Sequence, residues 1–433
     1  MNQRDQQILK IALPAIVTNI TVPLLGLVDT AIVGHMGAAA YIGAVSVGSM
    51  IFNLVYWVFG FLRMGTSGMT AQARGRRDFT EVVRLLARSA FVSLAVALLL
   101  IVMQWPLCEL MLGLISPTPD VRPLAATYFY IVVWGAPASL GLFTLTGWFI
   151  GMQNTRLPMM VSIFQNVVNI AVSLLLVYAL GMKIEGVALG TVIAQYAGLL
   201  LGIGLLLRYY CRLWMGRNLS LAPRLSLLIP FLKVNRDIFL RTLFLVAVNL
   251  YFTSAGARQG AVVLAVNTLL MQLYLLFSYV MDGFAYAGEA LGGRFWGAGN
   301  MTAFHEVVRR LFGWGALMTM LFTLVYVVGG IPFLRLLTDE PLVVEASRDY
   351  VWWAYLIPVA GVAAFVWDGV FIGITHTRGM LVSSLVAAVV FFIAVTLLMP
   401  LMGNHGLWLS MLLYLLMRGV VQTGLMFATQ LRK

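Results

Sequence analysis

The chain has 433 residues, of which 61% are hydrophobic and only 10% charged, with a mean hydropathy of +0.94 and a formal charge of +12. A water-soluble protein is about 45–50% apolar and about 25% charged. The composition therefore excludes a soluble enzyme, a disordered chain and a disulfide scaffold, and leaves an all-α integral membrane protein.

Twelve apolar runs predict membrane-crossing helices over 8–33, 42–64, 82–104, 124–150, 157–180, 186–209, 235–256, 260–288, 305–329, 348–373, 379–400 and 406–429. Each is close to or above the ~20 residues that cross the hydrocarbon core. They are continuously apolar, where barrel strands would alternate in polarity over about ten residues. The first run exceeds the h-region of a signal peptide and carries Asp29, so no cleavable leader is expected. Cys108 and Cys211 fall near opposite membrane faces and support no disulfide framework.

Basic residues collect on the cytoplasmic side of membrane proteins. With both termini placed there, Arg74, Arg76, Arg77, Arg84, Arg208, Arg212, Arg217, Arg224, Lys233, Arg236, Arg294, Arg309, Arg310, Arg432 and Lys433 all fall on the inner face. The outer loops keep only Arg122, Lys183, Arg258, Arg335 and Arg348, and are acidic at Glu109, Asp120, Glu185, Asp339, Glu340, Glu345 and Asp349. That asymmetry accounts for the positive charge with no nucleic acid as partner.

The longest basic linker divides the chain into a six-helix lobe over 1–212, a cytoplasmic linker over 213–234 and a second six-helix lobe over 235–433. The halves also resemble each other: GRRDFTEVVR, starting at Gly75, and GNMTAFHEVVR, starting at Gly299, both follow the second helix of their half. An even number of helices per half makes the two bundles pseudo-symmetric about an axis along the membrane normal. The GR…EVVR stretch reads as a short interfacial helix or as a plain basic loop.

Enzyme and nucleotide motifs are missing. No lysine follows a glycine as in a phosphate-binding loop. His305-Glu306 opens like a zinc-protease motif, but Arg309 stands where the second histidine belongs, and His35, His305, His376 and His405 divide between the two faces. No metal or cofactor is expected.

The informative residues are the acids inside apolar spans. A carboxylate at the centre of a membrane helix costs ~2.5–3.5 kcal/mol or more, so such residues usually face a cavity. Asp29 in GLVDTAIVG has no adjacent cation, and removal from water favours its neutral form, on which a proton gradient can act. Pro14 and Pro23 precede it, and each permits a bend. Asn166, Asn169 and Ser173 share one face of the fifth helix, and Asn169, Ser173 and Thr191 of the sixth reach the outer half where Asp29 lies. Ordinary interhelical hydrogen bonding is the plainer reading of these four. Asp282 and Glu289, two turns apart, and Asp368 mark a second acidic cluster, or else a structural network with Arg63, Arg294 or Arg378.

The segments LKIALP (9–14), GLVDTAIVGHMG (26–37), GWFIGMQNTRLPM (147–159), NIAVSLLLVYALGMKIEGVALGT (169–191), MDGFAYAGEALGG (281–293) and FVWDGVFIGITHTR (365–378) resemble the multidrug and toxic compound extrusion (MATE) family, most closely its DinF branch. The resemblance implies two six-helix lobes and a monomeric antiporter of the bacterial inner membrane. Such a protein exports small organic compounds, often cationic and apolar, in exchange for H⁺ or Na⁺ by alternating access. It implies Asp29 as the proton-responsive residue, Pro14 as the bend, and Asn169 and Thr191 as members of the polar cluster. The family often carries an aspartate where this chain has Ser173; losing that hard ligand weakens a Na⁺ site and shifts the expectation toward H⁺. The runner-up is a lipid-linked precursor flippase of the same superfamily, for which Arg418 is a candidate phosphate contact.

Overall fold

The computed structural model describes residues 2–34, 39–213, 225–338 and 340–430. His35, Arg217, Arg224, Asp339, Arg432, Lys433 and the side chain of Pro23 lie outside the described residues. Among those described, every regular element is a helix. Lipid offers no partner for backbone N–H and C=O groups, and a helix satisfies them internally.

The first helix, α1 (Gln3–Gly34), is 32 residues long. Eleven further helices are long and apolar enough to cross a membrane: α2 (Ala40–Gly75), α3 (Phe79–Val102), α4 (Arg122–Gly151), α5 (Arg156–Ala179), α6 (Ile184–Leu213), α7 (Leu228–Arg258), α8 (Ala261–Gly297), α9 (Met301–Leu337), α10 (Pro341–Gly373), α11 (Thr377–Met402) and α12 (Asn404–Ala428). With α1 they form the expected twelve-helix, all-α membrane architecture. A short helix, Gln104–Ile115, stands between α3 and α4. Two helices contain a single π-turn, at Leu175–Ala179 in α5 and at Gly288–Gly292 in α8.

The described chain divides into two compact units, 13–232 and 1–12 with 233–433. The start of α1 therefore belongs with the second half of the sequence. Ion pairs give the reason: Arg4 meets Glu306 at 3.0 Å, and Asp5 takes Arg310 at 3.2 Å and the Trp314 indole N–H at 3.2 Å. Pro14, two residues past the division, has no N–H to continue the helical ladder.

The internal repeat is visible in the turns. The basic stretches after α2 and α8 are neither interfacial helices nor open loops. Each is a tight helix stop followed directly by a helix start. Arg77 and Gly299 adopt the left-handed conformation at φ 60° and 69°. The next N–H reaches back five residues, from Asp78 to the Ala73 carbonyl and from Asn300 to that of Phe295, which is the Schellman stop. Asp78 and Asn300 then cap the following helices by accepting from the Glu81 and Ala303 N–H groups. The same stop closes α4 and α10, with Gln153 and Thr375 at φ 58° and 54°. Each pair of positions, 77 and 299 or 153 and 375, is 222 residues apart. We call the end of each unit that carries these turns its basic end.

Glycines at the same separation set the packing inside each unit. A Cβ on Gly147 would lie 2.3 Å from the Arg63 carbonyl, and one on Gly369 would lie 2.2 Å from that of Ala285. Gly151 and Gly373, one turn on, approach Ser67 and Glu289 in the same way. The spacing lets α4 press on α2 and α10 on α8, backbone against backbone.

Candidate functional site

The polar cluster around Asp29 forms within the first unit. Asp29 lies five residues from the end of α1 opposite the basic end and is 3% exposed. It sits beside the Thr191 hydroxyl of α6 and within electrostatic range of Tyr128 on α4. Its Oδ1 is buried without a hydrogen-bond partner, and among the described residues no Lys or Arg pairs with it. Asn169 donates its amide to Thr191 Oγ1 at 3.1 Å, and Thr191 donates to the Val187 carbonyl at 3.1 Å. Ser173 presses on Gly190, where a Cβ would fall 2.2 Å from the serine Oγ. The glycine thus lets α5 and α6 close up. Asn169 Oδ1 and Ser173 Oγ are buried without a partner as well. A carboxylate here is surrounded by neutral groups alone, so no side-chain charge of the protein balances it.

Asn166 faces a different neighbour: its amide donates to the Thr21 carbonyl of α1 at 2.9 Å, and Thr21 meets Ser162 at 3.1 Å. It ties α5 to α1 below the cluster. The carbonyl of Pro14 accepts from Thr18 at 2.9 Å.

The acids of the second half sit in a network of another kind. Asp368 is gripped by Arg241 of α7, Arg418 of α12 and, at 2.6 Å, the Gln422 amide. Arg63, Arg294 and Arg378, suggested from the sequence, are not the residues that hold Asp368. Asp282 is half-buried and acts electrostatically on Arg418 and Tyr274, as Asp368 acts on both. Glu289, 1% exposed, stands in the π-turn of α8, where its carbonyl faces Gly373. The 222-residue repeat puts Phe391 at the place of Asn169 and Val395 at that of Ser173, both buried. Phe391 packs edge-on against Tyr251 at 6.0 Å. The second half thus fills this place with core where the first half keeps polar groups.

Sequence reasoning missed Tyr128 and Arg241. Tyr128 sits in an aromatic-rich span with nothing to distinguish it. Arg241 does carry a signal: it is an arginine well inside an apolar run, which calls for an acidic partner.

These features agree with what the chain resembles. A family model described as MatE matches residues 14–175 and again 238–398. The "DNA damage-inducible protein F" of Escherichia coli (strain K12) is 37% identical over 423 residues, covering 97% of this chain and 91% of that protein. The "Probable multidrug resistance protein NorM" of Thermotoga maritima is 24% identical, covering 79% of this chain and 74% of that protein. Among solved structures, "Crystal structure of MATE in the straight conformation" shares the fold at a TM-score of 0.87, with 17% identity over 100% of this chain and 97% of that one. The family model matches in both halves and the bacterial relative matches nearly end to end: the chain belongs to the multidrug and toxic compound extrusion (MATE) family.

Proposed function

We propose that the chain is a secondary multidrug efflux antiporter that exports organic compounds in exchange for protons by alternating access. It works as a monomer in the bacterial inner membrane, with both termini in the cytoplasm. The observation that carries this reading is the uncompensated, buried carboxylate of Asp29 among hydroxyl and amide groups of α4, α5 and α6. Family membership and the name of the Thermotoga maritima relative support the substrate class.

Coupling follows from charge. Ionised Asp29 attracts a cationic organic molecule and holds the first unit in one hydrogen-bond arrangement. Protonation removes the negative charge, supplies an O–H donor and leaves the cation without its counter-charge. The two ligands therefore compete, which is what antiport requires. H⁺ is preferred over Na⁺ because the cluster offers one carboxylate, and Ser173 supplies only a neutral oxygen where a second would strengthen a hard-cation site. A flippase is less well supported, because Arg418 already donates to Asp368 and is not offered to a phosphate.

The test is uptake of a fluorescent organic cation into proteoliposomes under an imposed pH gradient, repeated with a Na⁺ gradient. Wild-type protein should respond to pH. Asp29→Asn should insert and fold yet lose the response. Undiminished pH-driven transport by Asp29→Asn would sink the reading.

A further inference from the structure

A second set of buried polar groups leads away from Asp29 through the interior of the first unit. One turn after Thr191, Gln195 lays its Oε1 over Gly135 of α4. One turn further along α4, Ser139 meets the Tyr56 hydroxyl of α2. Thr144 then bonds Ser89 of α3 at 3.0 Å, and Ser89 bonds Thr66 of α2 at 2.5 Å. Ser67 and Thr70 follow Thr66 along α2 toward the basic end, where the Ser67 carbonyl and the Thr70 Cβ lie against Gly151. From Tyr128 to Gly151 the line follows α4 for about 35 Å.

Packing does not explain these groups. The repeat supplies an internal control, because the second half makes the same helix contacts 222 residues on. There Thr66 is replaced by Gly288, Ser89 by Leu311, Thr144 by Val366 and Thr70 by Gly292, all buried. Gly288 and Leu311 even keep the contact, with a Cβ on the glycine 3.4 Å from the leucine. Polar groups recur at some related positions, since Ser67 corresponds to Glu289 and Tyr56 to Ser278, but the bonded trio Thr66, Ser89 and Thr144 is replaced there by apolar residues. Gln195 Oε1, Ser67 Oγ and Thr70 Oγ1 are also buried with no hydrogen-bond partner. Leaving such atoms unpaired is unfavourable, and a buried group of them is the setting in which water is taken up.

We propose that this line is the route by which a proton taken up at Asp29 leaves the first unit at its basic end. The proposal rests on Asp29 being the coupling residue. A hydroxyl accepts a proton on one lone pair and releases its own on the other side. Thr66, Ser89 and Thr144 are already joined in such a series. The steps from Thr191 to Gln195 and from Gly135 to Ser139 are about one helical turn, 5.4 Å, which a single water with hydrogen bonds of about 2.8 Å on either side can span; the step from Ser139 to Thr144 rises about 7.5 Å and takes more than one. The polar atoms are sealed from solvent as they stand, so the route is gated: it conducts when motion of the bundle admits water to the gaps.

The experiment uses the full-length protein in liposomes with a trapped pH indicator and a fluorescent organic cation. Thr144→Val combined with Ser89→Ala should slow substrate-driven proton movement roughly a hundredfold, with cation binding in detergent unchanged. Thr144→Ser should restore most of the rate, which a purely structural role would not predict. Should that double variant fold poorly, the triple variant Thr66→Gly, Ser89→Leu, Thr144→Val copies the packing of the second half and serves instead. Proton movement at the wild-type rate in either variant overturns the proposal. Asp29→Asn run alongside separates the two readings: if it is inactive while the hydroxyl variants are normal, only the route fails. If it transports like wild type, Asp29 is not the coupling residue and the route falls with it.

Discussion

Arg418 of α12 donates to the same carboxylate oxygen of Asp368 on α10 that Arg241 of α7 also takes. One acid therefore pins three helices, with both arginine side chains 5% exposed. Removing one member of a buried pair leaves its partner's charge uncompensated, at about 3–5 kcal/mol. Asp368→Asn should be the most damaging single change here, because it strands two guanidinium groups. Arg418→Met should cost less, since Arg241 still neutralises the acid. Thermal unfolding in detergent should rank them in that order.

The close approach at Gly369 is equally exacting. Alanine there would drive its Cβ to 2.2 Å from the Ala285 carbonyl. The backbone of α8 cannot step aside as a flexible side chain could, so Gly369→Ala should lose about 3 kcal/mol or more. Gly313→Ala, with nothing within 4 Å of its Cβ, should instead gain roughly 0.5–1 kcal/mol from helix propensity. Yields of folded protein by size-exclusion chromatography would show the contrast.

Gly190→Ala tests whether the α5–α6 contact matters for coupling. Its Cβ would fall 2.2 Å from Ser173 Oγ. Relief of that clash separates the helices and breaks the Asn169–Thr191 bond. The expected outcome is loss of pH-driven transport with Asp29 itself untouched. Normal transport in proteoliposomes would mean the Asn169 contact is dispensable.

His376 predicts a pH effect on stability. It lies in the turn between α10 and α11, stacked on Phe371 at 5.2 Å, and burial lowers its pKa below the usual 6.5. The folded ring therefore stays neutral to lower pH than the ring of the unfolded chain. As pH falls below about 6.5 the unfolded chain takes up the extra proton, and folding stability declines until the folded ring titrates too. His376→Asn, which copies Asn154 at the repeat-related turn, should flatten that decline between pH 6.5 and lower values. Melting curves across that range would check it.

The left-handed positions offer a reciprocal exchange. Arg77 stands at φ 60°, where its repeat partner is Gly299 at φ 69°. Arg77→Gly should stabilise and Gly299→Arg should destabilise, each by about 1 kcal/mol. The test is a paired shift of opposite sign in thermal midpoint.

The helices were legible because lipid demands uninterrupted apolar runs, and such runs stand out in a sequence without any tertiary knowledge. Asp29 was legible for the same reason: an uncompensated charge in an apolar helix has no bland background to hide in. The partners of Asp368 were not, because Arg241 is 127 residues away and only folding brings it near. The hydroxyl series was hidden for another reason. A serine or threonine inside a helix usually bonds its own backbone, as Thr66 also does to Leu62. Its meaning comes from alignment across three helices, and from the apolar residues that take the same places 222 positions later. Helix ends near the basic face were misjudged because hydropathy falls several residues before the backbone turns. Thus α2 runs on to Gly75 through its polar last turns.

The brevity of the Schellman turns has a consequence for biogenesis. Three residues separate α2 from α3, and three separate α8 from α9. A fully extended stretch of that length reaches only about 10 Å, far short of the bilayer. The two adjoining ends of such a pair are therefore tied to one face of the bilayer, whichever helix enters first. For this chain the four punctuating turns determine which helix ends must stay together during insertion.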